Sequence, residues 1–156
     1  MDDDVKWLDP AQQTAWRSVI RGAKRLIANL DSDLKAAGLT NDDYGVLVAL
    51  SEAEGQRLRM SELAQAVVES RSRLSHHIGR MERKDLVRRT ACPDDGRGSW
   101  AELTPTGREA IERLAPHHVT SVRRWFLDHT TPEELATVAA VFARVEDAAC
   151  SSSDCS

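Results

Sequence analysis

The sequence predicts a mainly α-helical protein with a small β-hairpin set into its middle third. Three observations carry this prediction. Apolar residues recur at helical spacing through most of the chain, and capping residues stand at the head of nearly every such run. Two short extended runs flank the turn-forming cluster Pro93-Asp94-Asp95-Gly96. A length of 156 residues is a one-domain length with room for a hydrophobic core.

Trp16, Val19, Ile20, Ala23, Leu26, Ile27, Leu30 and Leu34 mark the first helix, opened by Asp9 as N-cap with Pro10 behind it and stopped by Gly38. Thr40 caps a second helix, with Asp43 close to a capping-box position; Tyr44, Leu47, Val48 and Leu50 follow, and the helix ends near Gly55. Arg57-Leu58-Arg59 alternates as a minimal strand. Two short helices are expected at roughly 60–67 and 71–84, capped by Ser61 and Ser70, the second burying Leu74, Ile78 and Met81. The extended runs Leu86 to Ala91 and Ser99 to Leu103 form the hairpin. A long helix from Thr104 carries Ile111, Leu114, Val119, Val122, Trp125 and Phe126, with a kink or break expected near His117 because Pro116 lacks an N–H. Thr131-Pro132 opens the last helix, with Leu135, Val138, Val141, Phe142 and Val145 inward, and a frayed tail is expected over 151–156.

Composition excludes several classes. Apolar residues at 41% and charged residues at 29% fit neither a disordered tail nor a membrane protein, and no run approaches the ~18 apolar residues of a spanning helix. The start MDDDVKW is acidic where a signal peptide is basic, so a cytoplasmic, nucleoid-associated location is expected. Three cysteines are too few for a disulfide framework. The net charge of −4 conceals a strong segregation. Residues 1–55 hold six Lys/Arg against ten Asp/Glu, residues 56–108 eleven against seven, and residues 109–156 four against eight. A basic middle between acidic ends points to one specialised face.

Helix, turn, helix and hairpin in that basic third follow the order of a winged helix-turn-helix. On the helix at 71–84, the side opposite Leu74, Ile78 and Met81 presents Ser72, His76, Gly79 and Arg83, flanked by Arg73, Arg80 and His77. Hydroxyls, imidazoles and guanidinium forks on a rigid helix suit the major groove, while a solvated basic face is the plain alternative. The hairpin tip places Arg97 between Gly96 and Gly98, narrow enough for the minor groove, with Asp95 structuring the turn or orienting Arg97. Arg88 and Arg89 at the hairpin base suit phosphate contacts.

These residues resemble the MarR family of winged-helix bacterial transcription regulators, in order over nearly the whole chain. The family's wing signature is matched by Asp95, Arg97, Leu103, Thr104 and Gly107. Its helix-turn-helix core is matched by Ser61-Glu62-Leu63-Ala64, Ser70-Arg71-Ser72, Arg80, Glu82, Leu86-Val87 and Arg89. Three positions depart from the pattern. Val68 stands where the turn often has Gly, and because a β-branched residue resists positive φ that turn is expected to take a different path. Asp85 replaces a usual Gly, a milder change, and His76-His77 is unusual at its position and would make DNA binding pH-sensitive.

The resemblance implies a homodimeric repressor on a pseudo-palindromic operator, with residues 1–38 and 108–150 forming the dimerisation region and 39–107 the DNA-binding lobe. Arg71, Ser72, Arg73, His76, His77, Arg80, Arg88 and Arg97 would contact DNA. It further implies release by a small phenolic or anionic ligand, for which Trp16, Arg17 and Tyr44 lie on suitable helices, ordinary packing being the alternative for each. Cys92, near Arg88, Arg89 and Arg97 in sequence, supplies the alternative of a thiol-redox sensor. The histidine pairs 76–77 and 117–118 are adjacent and so diverge by about 100° on a helix, and neither a metal site nor a cofactor is expected. Two other function classes remain as alternatives: an enzyme using Cys92 with a histidine base, for which no further catalytic motif is present, and a winged helix used only for protein contacts.

Overall fold

Buried leucines set the frame. Leu47, Leu50, Leu63, Leu74, Ile78 and Met81 lie fully inside a core that Leu34, Leu39, Tyr44, Leu86, Ala101 and Leu114 complete. The computed structural model describes residues 5–92 and 95–153, with the side chains of 95–97 and 150–153 outside that description. In chain order the elements are α1 (Pro10–Leu34), α2 (Asn41–Glu52), β1 (Arg57–Arg59), α3 (Met60–Ala66), α4 (Arg71–Arg83), β2 (Val87–Cys92), β3 (Asp95–Leu103), α5 (Pro105–Trp125) and α6 (Pro132–Ser153). The three strands form one antiparallel sheet in the order β1-β3-β2. The fold is therefore mainly helical with a small three-stranded wing, and α6 continues to Ser153, past the tail boundary expected at 150.

The caps follow their chemistry. The Asp9 carboxylate accepts from Gln12 N at 2.8 Å and Gln12 returns the bond, with Pro10 at the first position of α1. After a short 3₁₀ turn, Gly38 ends the helix at φ 70°, a left-handed conformation in which a Cβ is costly. Thr40 and Asp43 form a reciprocal capping box on α2. Ser70 caps α4 by accepting from Arg73 N. Ser61 is not a cap: Arg59 occupies that position on α3, and its N–H donates to Glu62 at 2.9 Å.

Three other expectations are corrected. Helix α5 runs unbroken through Pro116, whose exposed ring costs one backbone hydrogen bond, while the Thr120 hydroxyl donates to the Pro116 carbonyl at 2.9 Å. Val68 takes φ 54°, the conformation a glycine would adopt, so the turn between α3 and α4 keeps its path and the valine carries the strain. That turn is held by Glu69 N donating to Ala64 O at 2.9 Å. Finally, Val141, Phe142 and Val145 on α6 are exposed in the protomer rather than inward. Asp85, at φ 55°, is left-handed as its side chain allows.

The junction between lobe and α5 is tight. The Thr104 hydroxyl accepts from Gly107 N at 3.0 Å and donates to Asp85 O at 2.5 Å, so one side chain caps α5 and ties it to the end of α4. A Cβ on Gly107 would sit 2.1 Å from the Leu86 carbonyl oxygen, and only glycine fits.

Opposite effects are expected at the two backbone-limited positions. Val68 is 90% exposed, so Val68→Gly removes strain without losing burial and should raise stability by about 1 kcal/mol. Gly107→Ala should lower it by about 1–3 kcal/mol through overpacking against backbone. Thermal unfolding of both variants, read as a Tm shift of roughly 2–4 °C per kcal/mol, checks the pair.

Candidate nucleic-acid interface

Helix α4 is amphipathic in a narrow sense. Leu74, Ile78 and Met81 form its buried seam, while Arg71, Ser72, Arg73, Ser75, His76, Arg80 and Arg83 are exposed. Ser72, His76, Arg80 and Arg83 therefore share an outward face at i, i+4, i+8 and i+11, the arrangement a groove-reading helix needs. Arg73 is exposed and also ion-paired, lying 3.5 Å from Asp42 and 3.9 Å from Glu69.

His77 is not part of that face. It is 1% exposed, its Nε2 lies 2.8 Å from Asp43 Oδ1, and its Nδ1 lies 3.1 Å from Glu69 Oε1. It stands one step of 40° from Met81 on the helix, on the edge of the apolar seam rather than beside His76. Asp43 also accepts from Lys84 Nζ at 3.1 Å, and Lys84 reaches the Gly38 carbonyl at 2.8 Å. This cluster of Asp43, Glu69, His77 and Lys84 joins α2, the α3–α4 turn and the middle and C-terminal end of α4. The sequence reading missed it as a unit, although acid residues at cap positions beside a seam-edge histidine were its signal.

The wing is tied to α4 by a second charged contact. Arg89 donates to Glu82 through Nη2 at 2.6 Å and Nε at 3.0 Å, its backbone N–H donates to the same carboxylate at 2.9 Å, and Nη1 reaches Ser75 Oγ at 3.4 Å. The Arg89 hydrogen bond holds the Glu82 carboxyl below its ordinary range against the opposing effect of burial. Arg88, one residue earlier, points to the other face of the sheet, where it donates to Glu102 at 2.9 Å. Thr90 donates to the same carboxylate at 2.9 Å, and the Arg57 and Arg59 guanidiniums lie over the Trp100 ring on that face.

At the wing tip the pairing steps from Ala91↔Ser99 to Cys92↔Asp95, so Gly96, Arg97 and Gly98 bulge from the ladder on β3. The side chains of Asp95 and Arg97, and the turn residues Pro93 and Asp94, lie outside the described residues. Cys92 is buried, which removes the exposure that the thiol-sensor alternative requires. Cys150 and Cys155 are outside the description of side chains.

The expected ligand residues are not brought together in the protomer. Trp16 and Arg17 line a shallow recess of about 230 Å³ on α1 with Ile20 and Arg21. Tyr44 instead lines a cleft of about 600 Å³ with Asn41, Val48, Glu52 and His118. Its ring stacks on His118 with centroids 4.2 Å apart. Burial lowers the His118 pKa and raises that of Tyr44, and His118 Nδ1 has no hydrogen-bond partner among the described residues. His118 also borders a second cleft of about 710 Å³ beside Arg113, His117 and Arg124.

An outward polar face on a helix held over a basic wing defines a winged helix-turn-helix nucleic-acid-binding protein. The chain belongs to the MarR family of transcriptional regulators, a family of DNA-binding proteins and not of enzymes. The MarR family model matches residues 37–98. The crystal structure of AbsC, a MarR family regulator from Streptomyces coelicolor, superposes with a TM-score of 0.90 at 45% identity, covering 94% of this chain and 99% of that one. Sco3205 from the same organism, crystallised in complex with DNA, gives a TM-score of 0.90 at 41% identity over 94% of this chain and 92% of its own. The HTH-type transcriptional regulator PrsX of Escherichia coli is 33% identical over 95 residues, 61% of this chain and 57% of that protein, so the match spans less than two thirds of PrsX.

The buried cluster fixes a pH dependence of stability. Burial pushes the Asp43 carboxyl up, but His77, Lys84 and the Thr40 N–H together hold it far below its ordinary value. The Asp43 hydrogen bond raises His77 against burial, and Glu69 adds to the rise. Asp43 thus contributes fully above the unfolded carboxylate value of ~3.9, and that contribution is lost as pH falls through its depressed folded value. His77 contributes fully below ~6.5 and its contribution is lost as pH rises through the raised folded value. Thermal unfolding across pH should show a maximum between these limits, with Asp43→Asn lowering the maximum and flattening the acid limb.

Proposed function

We propose that the chain is a homodimeric repressor that grips a pseudo-palindromic DNA operator through α4 in the major groove and the wing tip in the minor groove. The observation that carries this reading is the outward face of α4, where Ser72, His76, Arg80 and Arg83 are exposed while the same helix is anchored from behind. The Arg97 bulge between glycines and the surplus of basic residues over 56–108 support it. Dimerisation uses residues 1–38 and 108–150, with 39–107 as the DNA-binding lobe. Trp7, Trp16, Val19 and Ile27 from the N-terminal part, and Val141, Phe142 and Val145 from α6, are the exposed apolar surface that a second copy covers. Among the described residues no helix is long and apolar enough to cross a membrane.

Binding to a duplex from the DNA upstream of its own gene should weaken at least about a hundredfold between 50 and 200 mM salt. Arg97→Ala should weaken binding to all sequences alike, whereas His76→Ala should change base preference at one position per half-site by about 1–3 kcal/mol. Binding indifferent to salt sinks the reading.

The effector is a small aromatic anion seated near Tyr44 and His118. The unpartnered His118 nitrogen supplies a hydrogen-bonding anchor, and Arg113 and Arg124 across the neighbouring cleft supply positive charge. Such a ligand acts by favouring a lobe spacing that does not fit successive major grooves. A thermal-shift screen of phenolic and aromatic acids should find a compound that raises the Tm and releases DNA, with both effects reduced in Arg113→Ala.

A further inference from the structure

His77 presents a counting problem. Both ring nitrogens lie within hydrogen-bond distance of a buried carboxylate, Nε2 on Asp43 at 2.8 Å and Nδ1 on Glu69 at 3.1 Å. A neutral imidazole has one N–H, so it can serve one of these acids and must turn a lone pair toward the other. Only the imidazolium donates to both. The side chains concerned are 2%, 4% and 7% exposed for His77, Asp43 and Glu69, so water does not soften the mismatch.

Asp43 from α2 and Glu69 from the α3–α4 turn face the imidazole itself. Behind them Lys84 pairs with Asp43 at 3.1 Å and Arg73 lies 3.9 Å from Glu69, while Asp42 meets Arg73 at the exposed edge. Glu69 Oε2 has no hydrogen-bond partner among the described residues, so Glu69 depends on His77 and Arg73 at its other oxygen. Loss of the proton leaves one buried acid facing a lone pair at the point where α4 meets the turn before it and the helix behind it.

We propose that His77 is a positioning residue whose proton clamps the recognition helix between Asp43 and Glu69, so that DNA affinity falls as the imidazole deprotonates. The inference rests on the DNA-binding reading above and adds a control to it. His77 touches no DNA. It acts by fixing the pitch and depth at which Ser72, His76 and Arg80 are offered to the groove. Charges on Arg and the phosphates are constant over the range concerned, and the contribution of the exposed His76 is separated by replacing it. If only the protonated clamp binds, affinity above the His77 pKa falls with a limiting slope of about tenfold per pH unit.

Two measurements on the full chain test the clamp. The first follows the His77 ring nitrogens by ¹⁵N NMR without DNA. Both should be protonated at pH 6.5, and the titration midpoint should lie above the ordinary imidazole value of ~6.5. A singly protonated ring at pH 6.5 overturns the proposal. The second takes a duplex selected from a random pool by this protein at pH 6.0 and measures affinity at constant ionic strength across the observed midpoint. Wild type should lose affinity on the alkaline side, His76→Gln should still lose affinity across the His77 midpoint whatever it does to base preference, and His77→Gln should be weak and flat. If His77→Gln does not fold, Asp43→Asn serves instead and should move the affinity midpoint to lower pH, in step with the ring titration. Wild-type affinity that stays constant across the ring titration overturns the clamp and leaves the DNA-binding reading standing. Failure to select any duplex at pH 6.0 overturns both.

Discussion

A helix that must give most of its surface to a partner has little left with which to hold itself in place. On the proposed DNA-binding reading, helix α4 is under this constraint: three apolar side chains, Leu74, Ile78 and Met81, are its whole hydrocarbon anchor. Burying three such residues stabilises by roughly 5–9 kcal/mol, but apolar contact is non-directional and leaves the helix free to slide or rotate. Direction is supplied by polar contacts spaced along the helix. Ser70 holds the first turn, His77 the middle, Glu82 the wing and Lys84 the end, where its ammonium meets both Asp43 and Gly38. Remove any of these and the seam remains, but the register of the outward face is no longer specified.

The rest of the lobe is arranged around those contacts. Asp43 serves twice, as the capping-box acid of α2 and as the acceptor for His77 and Lys84, so the start of one helix and the middle of another share a carboxylate. Glu82 likewise binds the backbone and the side chain of Arg89, which makes the base of the wing an extension of α4. The two sheet faces have different work. Arg89 turns toward α4, while Arg88, Arg57, Glu102 and Trp100 form a separate charged and aromatic face on the other side.

Most of the fold was legible because its boundaries are set by local chemistry. Asp9-Pro10, Thr40, Ser70 and Thr104 each satisfy backbone donors that no other nearby residue can reach, and periodic apolar residues between them fix the helices. What escaped the sequence depends on tertiary context. His77 and His76 look alike in one dimension, and only packing against α2 decides that one is enclosed by acids and the other is open. Val68 was read by its intrinsic reluctance, yet the bonds that close the α3–α4 turn overrule a cost of one or two kcal/mol. Pro116 was read as the site of a kink or break, but its ring is exposed and the helix continues on either side without a break. The apolar residues of α6 were assigned inward because periodicity reports a buried face without saying whose surface buries it.

The contact between Gly107 and Leu86 has a mechanical meaning. With no room for even a methyl group between the first turn of α5 and the chain entering β2, and with Thr104 bonded to both, that junction behaves as a welded joint. Helix α5 has 21 residues and so extends about 30 Å from it. A lever of that length converts angle into distance: tilting it by about 5° carries its far end, beside Asp33 and Trp125, through roughly 3 Å. The same geometry works in reverse, since a displacement of that size at the far end turns the whole lobe through the same few degrees. The outward face of α4 and the helical arm are therefore coupled through a stiff joint, with the glycine as the pin that leaves no room for a side chain.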